Sequence, residues 1–355
     1  MIIKKIAVSV AALALAAGAA VAADLPSRKG PPLLPPPPPP PMWTGFYAGL
    51  NAGYGFGANS NAQSYAIGTD VFAGRVITGG SGGYGLAGEP LILPSGAGLA
   101  HTGSFSNTQN GFIGGGQVGY NYQWGSNVVI GIEADIQGAG VRGTSHGVGV
   151  GTGSAYIPYV EEGGASANSL AYGATTINAG VDWLGTVRGR IGYLFTPTLL
   201  LFGTGGLTYG GAYANVNHFA VTQIDRLETY APGDTENPGG FSQTYVGGGN
   251  RSQTLVGWNV GGGLEWMFMP NWSLKAEAIY WNMGGMNVQT ASVAAPATIP
   301  VAPVEMIGIL SQSGAQAAAG ATFGNVRVNY QGVIARAGVN YHFNWFAPAP
   351  VVASY

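Results

Sequence analysis

Residues 257–283, GWNVGGGLEWMFMPNWSLKAEAIYWNM, state one pattern twice with a tight turn between. Val256, Trp258, Val260, Gly262, Leu264, Trp266 and Phe268 alternate with Gly257, Asn259, Gly261, Gly263, Glu265 and Met267. Beyond Met269, Pro270 and Asn271 the alternation resumes, with Leu274, Ala276, Ala278 and Tyr280 set against Ser273, Lys275 and Glu277. A period of two is a strand, and two such runs about a short turn are a hairpin. The aromatics Trp258, Trp266, Phe268, Trp272 and Tyr280 fall towards the ends of the apolar face, while the charges sit mid-strand on the other face. A soluble sandwich would hide the apolar face and wet the charged one. A transmembrane barrel does the reverse: lipid meets the apolar face, aromatic girdles mark the interfaces, and the polar face lines the lumen.

The same alternation recurs six times outside the hairpin. Phe46, Leu50 and Phe56 head the first run; Phe112, Val118 and Trp124 the second; Val128, Ile132 and Ile136 the third. Val187, Ile191 and Phe195 carry the fourth, Leu199, Leu201 and Leu207 the fifth, and Val333, Val339, Tyr341 and Phe343 the last. Connections alternate in length: a few residues at 125–127, 196–198 and 269–272, but about 40 or more near 58–109, 138–181, 212–252 and 284–325. Loops of that length count against a compact soluble domain and are ordinary on the outer side of a bacterial barrel. The expected fold is therefore all-β, an antiparallel up-and-down transmembrane β-barrel of eight strands with four long extracellular loops. Rival counts of ten or twelve strands, or a 16-stranded porin, would draw on residues 63–75 or 241–246, which could instead extend existing strands beyond the membrane.

The ends suggest an exported chain. Lys4 and Lys5 precede an uncharged Ala-rich run and the small residues Ala20, Val21 and Ala22, the pattern of a cleaved secretory signal over 1–22. Residues 23–42 form a spacer whose seven prolines at 35–41 hold a stiff polyproline II backbone, with contact to the cell wall as its sharper reading. The barrel is expected over 43–346 and a short tail over 347–355. Of 13 basic residues two lie in the leader, against 15 acidic ones, so the exported part is mildly acidic and nucleic acid is an unsuitable partner. Charged residues make up only 8% of the chain and there is no cysteine, which excludes disulfides and thiolate metal sites.

Parity places eight charges on the inward face: Glu133, Asp135, Glu265 and Glu277 against Arg188, Arg190, Lys275 and Arg336. An eight-stranded barrel is just wide enough for its side chains to fill, so ions held there need partners. Two readings use the same residues: a neutral network that plugs the interior, or a narrow gated path whose pairs exchange partners. Scattered loop carboxylates suggest only weak divalent-cation bridging to lipopolysaccharide. None of His101, His146, His218 and His342 lies within a few alternating positions of a Ser and a carboxylate at a strand's outer end, so no catalytic residue, cofactor or metal is expected.

WTGFYAGLNAGYGFG at 43–57 closely resembles the opening strand of the alphaproteobacterial outer-membrane immunogenic proteins, a porin-like family with an OmpA-type eight-stranded barrel. The likeness continues through DWLGTVRGRIGY at 182–193, LLFGTGGLTYG at 200–210, residues 257–282 and ARAGVNYHF at 335–343. Within the last block, Gly338, Tyr341 and Phe343 match the C-terminal signal read by the outer-membrane assembly machinery. The chain departs from the family by continuing through residues 344–355 and by its proline tract. The resemblance implies a cell outer-membrane location, contact with outer-membrane lipid and lipopolysaccharide, surface antigenicity and modest solute passage. The leading expectation is a structural, surface-interacting barrel; a small diffusion porin is the alternative, and an outer-leaflet lipid-modifying enzyme a third class.

Overall fold

The computed structural model describes residues 43–58, 61–72, 91–158, 164–229, 235–236, 241–294, 297–299 and 316–343. The expected leader, the proline spacer and residues 344–355 lie outside the described residues. Thirteen strands are present among them: β1 (Gly45–Gly57), β2 (Asn61–Phe72), β3 (Leu91–Pro94), β4 (Gly103–Ser106), β5 (Asn110–Trp124), β6 (Val128–Pro158), β7 (Gly164–Thr196), β8 (Leu199–Thr229), β9 (Thr235–Glu236), β10 (Phe241–Met269), β11 (Trp272–Ala294), β12 (Ala297–Ile299) and β13 (Gln316–Phe343). One short helix, α1 (Gly96–Ala100), sits between β3 and β4.

Antiparallel neighbours run β1, β5, β6, β7, β8, β10, β11, β13, and β13 returns to pair β1. Eight strands thus close a ring among the described residues. The apolar face looks outward: Leu50, Phe112, Ile132, Ile191, Leu207, Val256, Trp258 and Leu264 are all exposed, while Asn259, Glu265, Lys275 and Arg336 are buried. The turns at 125–127, 197–198 and 270–271 gather at one end, where the side chain of Asn127 donates to the Leu194 carbonyl and that of Asn271 to the His342 carbonyl.

The four expected long loops are corrected by the structure. Much of 138–181, 212–252 and 284–325 continues as strand, so β6, β7 and β8 reach 31, 33 and 31 residues. That is about 100 Å of strand, against an apolar band of about 25 Å in a bacterial barrel. Residues 61–72 and 241–246 are strand as well, the first as β2 and the second as part of β10. Above Phe56 the first strand leaves the wall, and β2 takes its place against β13, pairing Ala62 with Val328 through Phe72 with Ala318.

On β7 and β11 the reason the alternation vanished from the sequence is visible in the register. β7 slips between Val181 and Trp183, and β11 between Asn282 and Gly285. On β7 the buried positions change from Thr186, Arg188 and Arg190 to Thr175, Ile177, Ala179 and Val181; on β11 from Ser273, Lys275 and Glu277 to Met286, Val288 and Thr290. A one-residue bulge swaps which parity faces inward, so a fixed period-two template loses the strand there. Above these bulges the interior is also apolar rather than charged, so the pattern changes sign as well as phase.

Helix α1 fills the upper interior. Ser95 caps it by accepting from the Ala97 amide at 3.2 Å, and Ala97 and Ala100 are buried with Ala171, Ala220, Tyr245 and Ala294 of the surrounding strands. Gly151 on β6 makes the approach possible, since a Cβ there would lie 2.0 Å from the Gly96 carbonyl oxygen. Replacing Gly151 by Val is expected to expel α1 while leaving the ring intact. Hydrogen exchange should then accelerate across residues 95–106 with no loss of the heat-modifiable electrophoretic band; loss of that band together with the helix would show the two are one cooperative unit.

Candidate functional site: the filled lumen

The interior is stacked in layers from the turn end upward. The lowest is apolar: Trp43, Val129, Leu194, Leu200, Phe202 and Met267 form one buried cluster, and the Trp43 indole donates to the Pro197 carbonyl at 2.9 Å. His342 packs beside it, edge-on to Trp43 at 5.7 Å and stacked on Tyr47 at 5.5 Å between ring centres.

The eight charges singled out by parity all face the lumen, and six of them share one cluster. Arg188 donates to Glu133, to Asp135 at 3.1 Å and to Glu277 at 2.9 Å. Arg336 reaches Asp135 at 2.7 Å and Glu277 at 2.8 Å, and Lys275 reaches Glu133 at 2.8 Å and Glu277 at 2.9 Å. Each carboxylate therefore meets at least two cations, and each cation at least two carboxylates. The remaining pair, Arg190 with Glu265, stands one layer lower, with the Arg190 guanidinium 3.9 Å over the Phe202 ring.

Neutral side chains complete the network. Tyr47 donates to Glu133 at 2.6 Å, Thr186 to Asp135 at 2.8 Å, and Asn340 to Glu265 at 2.7 Å. Gln117 links Asn340 to Asn51. Inward parity alone could have found Asn51, Gln117, Thr186 and Asn340. The contribution of Tyr47 depends on a partner strand: a Cβ at Gly119 would lie 2.4 Å from the Tyr47 ring, so glycine there gives the ring its place.

Linear spacing gave no histidine a serine and carboxylate, yet the ring brings His342 to both. Its Nε2 is 2.9 Å from the Ser273 hydroxyl and 3.4 Å from Glu265. The arrangement is not a hydrolytic triad. Both neighbours meet the same imidazole nitrogen, Ser273 donates to Glu265 at 2.5 Å, and Ser273 is fully buried. A nucleophile needs its proton taken by the imidazole and a carboxylate on the other ring nitrogen. Among the described residues no group of three His, Cys, Asp or Glu side chains is placed to hold a metal ion.

Above the charges lies a larger apolar layer, including Ile113, Val141, Ile177, Val216, Trp281, Met286, Val328 and Tyr330. Above that, α1 closes the interior, and here sequence reading found nothing. His101, at the end of the helix, and His218 of β8 lie 4.3 Å apart between ring centres, and the Thr175 hydroxyl bridges their Nδ1 atoms at 3.2 and 3.1 Å. One hydroxyl proton serves both: Thr175 donates to one imidazole and accepts from the other, which requires at least one ring to be neutral. No linear motif joins residues 101, 175 and 218.

At the lower end, Tyr341 faces outward between Trp272 and Phe343, 5.1 and 5.0 Å between ring centres, and Gly338 faces the lumen with the Leu50 carbonyl 2.7 Å from where a Cβ would stand.

No family model matches the chain. Over 275 residues it is 29% identical to the 31 kDa outer-membrane immunogenic protein of Brucella melitensis, covering 78% of this chain and 85% of that protein. It is 34% identical over 117 residues to the 22 kDa outer membrane protein of Rhizobium leguminosarum bv. viciae, 32% of this chain and 41% of that one. Among solved structures it is similar to the outer membrane protein OprG from Pseudomonas aeruginosa, with 11% identity, 84% and 97% of the two chains covered, and a TM-score of 0.28. The chain is an outer-membrane β-barrel protein, related in sequence to the outer-membrane immunogenic proteins.

Two outcomes follow from the lumen. Glu277→Leu strips an acceptor from Arg188, Lys275 and Arg336 at once and is expected to cost about 3–5 kcal/mol, read from urea unfolding in micelles. Pairing it with Arg336→Leu restores neutrality and should cost less than the two single changes added. In the upper chamber, burial lowers His101 from its ordinary 6.5 to about 4, and burial with the neighbouring His101 lowers His218 to about 4. The closed chamber therefore keeps its full stability above pH 6.5 and loses it as the pH falls towards 4. Its opening constant should rise about tenfold per pH unit for each imidazole. Hydrogen exchange at residues 97–102, corrected for intrinsic rate, checks the slope, and His218→Gln should halve it.

Proposed function

We propose that this outer-membrane β-barrel protein is a sealed wall element that carries a tall, rigid surface outside the cell, and that it does not pass solute. The single observation behind this reading is the uninterrupted filling of the interior: an apolar floor, the paired charges, a second apolar layer, and α1. An open channel needs a continuous wetted path, whereas here each carboxylate of the six-membered cluster is met by two or more cations and the layers above and below it are apolar. The buried, misaligned Ser273 and His342 lend no support to lipid hydrolysis. Outer-membrane lipid and lipopolysaccharide are the natural neighbours of such a wall. The outer-membrane assembly machinery is the partner to which Gly338, Tyr341 and Phe343 would be presented, and the proline tract at 23–42 is a contact for the cell wall.

Planar-bilayer recording tests the proposal. The purified barrel should remain silent at applied potentials that open general porins, and the charge-reversing Arg188→Glu, which sets four carboxylates against the two remaining cations of the cluster, should introduce fluctuating conductance. Stable openings from the unaltered protein that Glu265→Lys abolishes would replace the sealed wall with a diffusion pore.

A further inference from the structure

The lumen takes four of the chain's 13 Lys and Arg residues, and the described ones outside it are placed unevenly. Arg142 of β6 faces outward and has a carboxylate neighbour, Asp182, at 3.8 Å. Arg251 of β10 and Arg327 of β13 also face outward, and among the described residues neither has one. Residues 241–258, 280–294 and 316–333, which build this side of the wall above the apolar band, contain no Asp or Glu.

The two guanidinium groups converge on the strand between them. Arg251 donates through Nη1 to the Asn287 carbonyl at 3.0 Å, and Asn287 is the cross-strand partner of Arg327. Arg327 lies over the β11 bulge: a Cβ on Gly285 would stand 2.9 Å from its Nε and 2.7 Å from the Asn329 Oδ1. The bulge itself depends on Gly284, whose φ of 76° is a left-handed value that side chains resist. Two like charges held over one four-residue stretch without a counter-ion repel each other unless an anion sits between them.

Position specifies which anion. Directly below, Trp258 packs on Tyr280 at 5.4 Å between ring centres, and the Tyr280 hydroxyl and Asn282 amide both donate to Gln331. This is the upper aromatic girdle of the apolar band. Arg327 stands four residues beyond Gln331 on β13, about 13 Å along the strand, at the height of lipid headgroups. A phosphate there would leave its acyl chains lying on Val256, Trp258 and Val333. Guanidinium forks and phosphate oxygens match in geometry as well as charge.

We propose that Arg251 and Arg327 form a binding site for a phosphoryl group of an outer-leaflet glycolipid. The site rests on the end of the barrel opposite the short turns facing outside the cell, and that premise is tested separately: Ser252→Cys, in a chain without other cysteines, should be labelled by an impermeant maleimide on intact cells. Failure to label would overturn the orientation, and the site with it.

The binding test titrates the detergent-solubilised protein with bis-phosphorylated lipid A, with the same lipid stripped of phosphate, and with inorganic phosphate, read by native mass spectrometry. Phosphorylated lipid should bind about 10- to 100-fold more tightly than the stripped lipid, the scale of one to two charge-assisted hydrogen bonds. Arg251→Gln with Arg327→Gln should lose that margin while keeping heat-modifiable migration, and Arg142→Gln, whose cation already has a partner, should retain it. Equal binding of both lipids, or no change in the double variant, would reduce the surface to an apolar wall. Displacement of the lipid by millimolar inorganic phosphate would assign the site to the free anion instead.

Discussion

Inside hydrocarbon no backbone amide or carbonyl can turn to water, so a spanning sheet must have no edge, and the last strand must find the first. That requirement is met along the whole of β1, from Phe46 opposite Phe343 to Gly57 opposite Gly332. Closure decides the rest of the lower half. It wraps the polar face around a space that side chains fill, and it carries Arg336 from the end of the chain to Asp135 and Glu277. Ions enclosed this way cannot be solvated, so they must satisfy one another. The layout of three carboxylates among three cations is the form that satisfaction takes.

Above the paired charges the interior changes from charged to largely apolar. Below, the outer face is Leu, Val, Ile and aromatic and the inner face charged; above, the inner face includes Ile177, Val216, Val288 and Val328, and the outer face mixes Arg142, Thr144, Asn178 and Asn287 with exposed Val148, Phe219, Val293 and Phe323. The bulges on β7 and β11 fall at this boundary and reset the phase of the two strands. The upper half has a largely apolar core, plugged by a five-residue helix that glycines at 149, 151 and 173 admit.

This division separates the charges by role. Cations in the lumen are paired with carboxylates within the fold. Arg251 and Arg327 face outward beside β11, and among the described residues neither has a carboxylate partner. The histidines at 101 and 218 answer to a third environment, a closed apolar chamber outside the membrane where protonation has no outlet to water.

Period-two alternation determined the barrel and the facing of its lower strands, because a lipid exterior and a crowded interior leave each position a binary choice. The same rule placed Glu133, Asp135, Arg188, Arg190, Glu265, Lys275, Glu277 and Arg336 inside, though not which met which: the distances between strands far apart in sequence follow from register around the ring. The upper parts of β7 and β11 were illegible because bulges shift their parity; β6 beyond 138 and β8 beyond 212 keep theirs, but small and polar residues such as Ser145, Ala212, Ala214 and His218 stand inside in place of the lower strands' charges. The meeting of His101, Thr175 and His218, and the placing of Arg251 and Arg327 on either side of residues 284–287, belong to tertiary structure alone, since each depends on strands that become neighbours only when the sheet has formed.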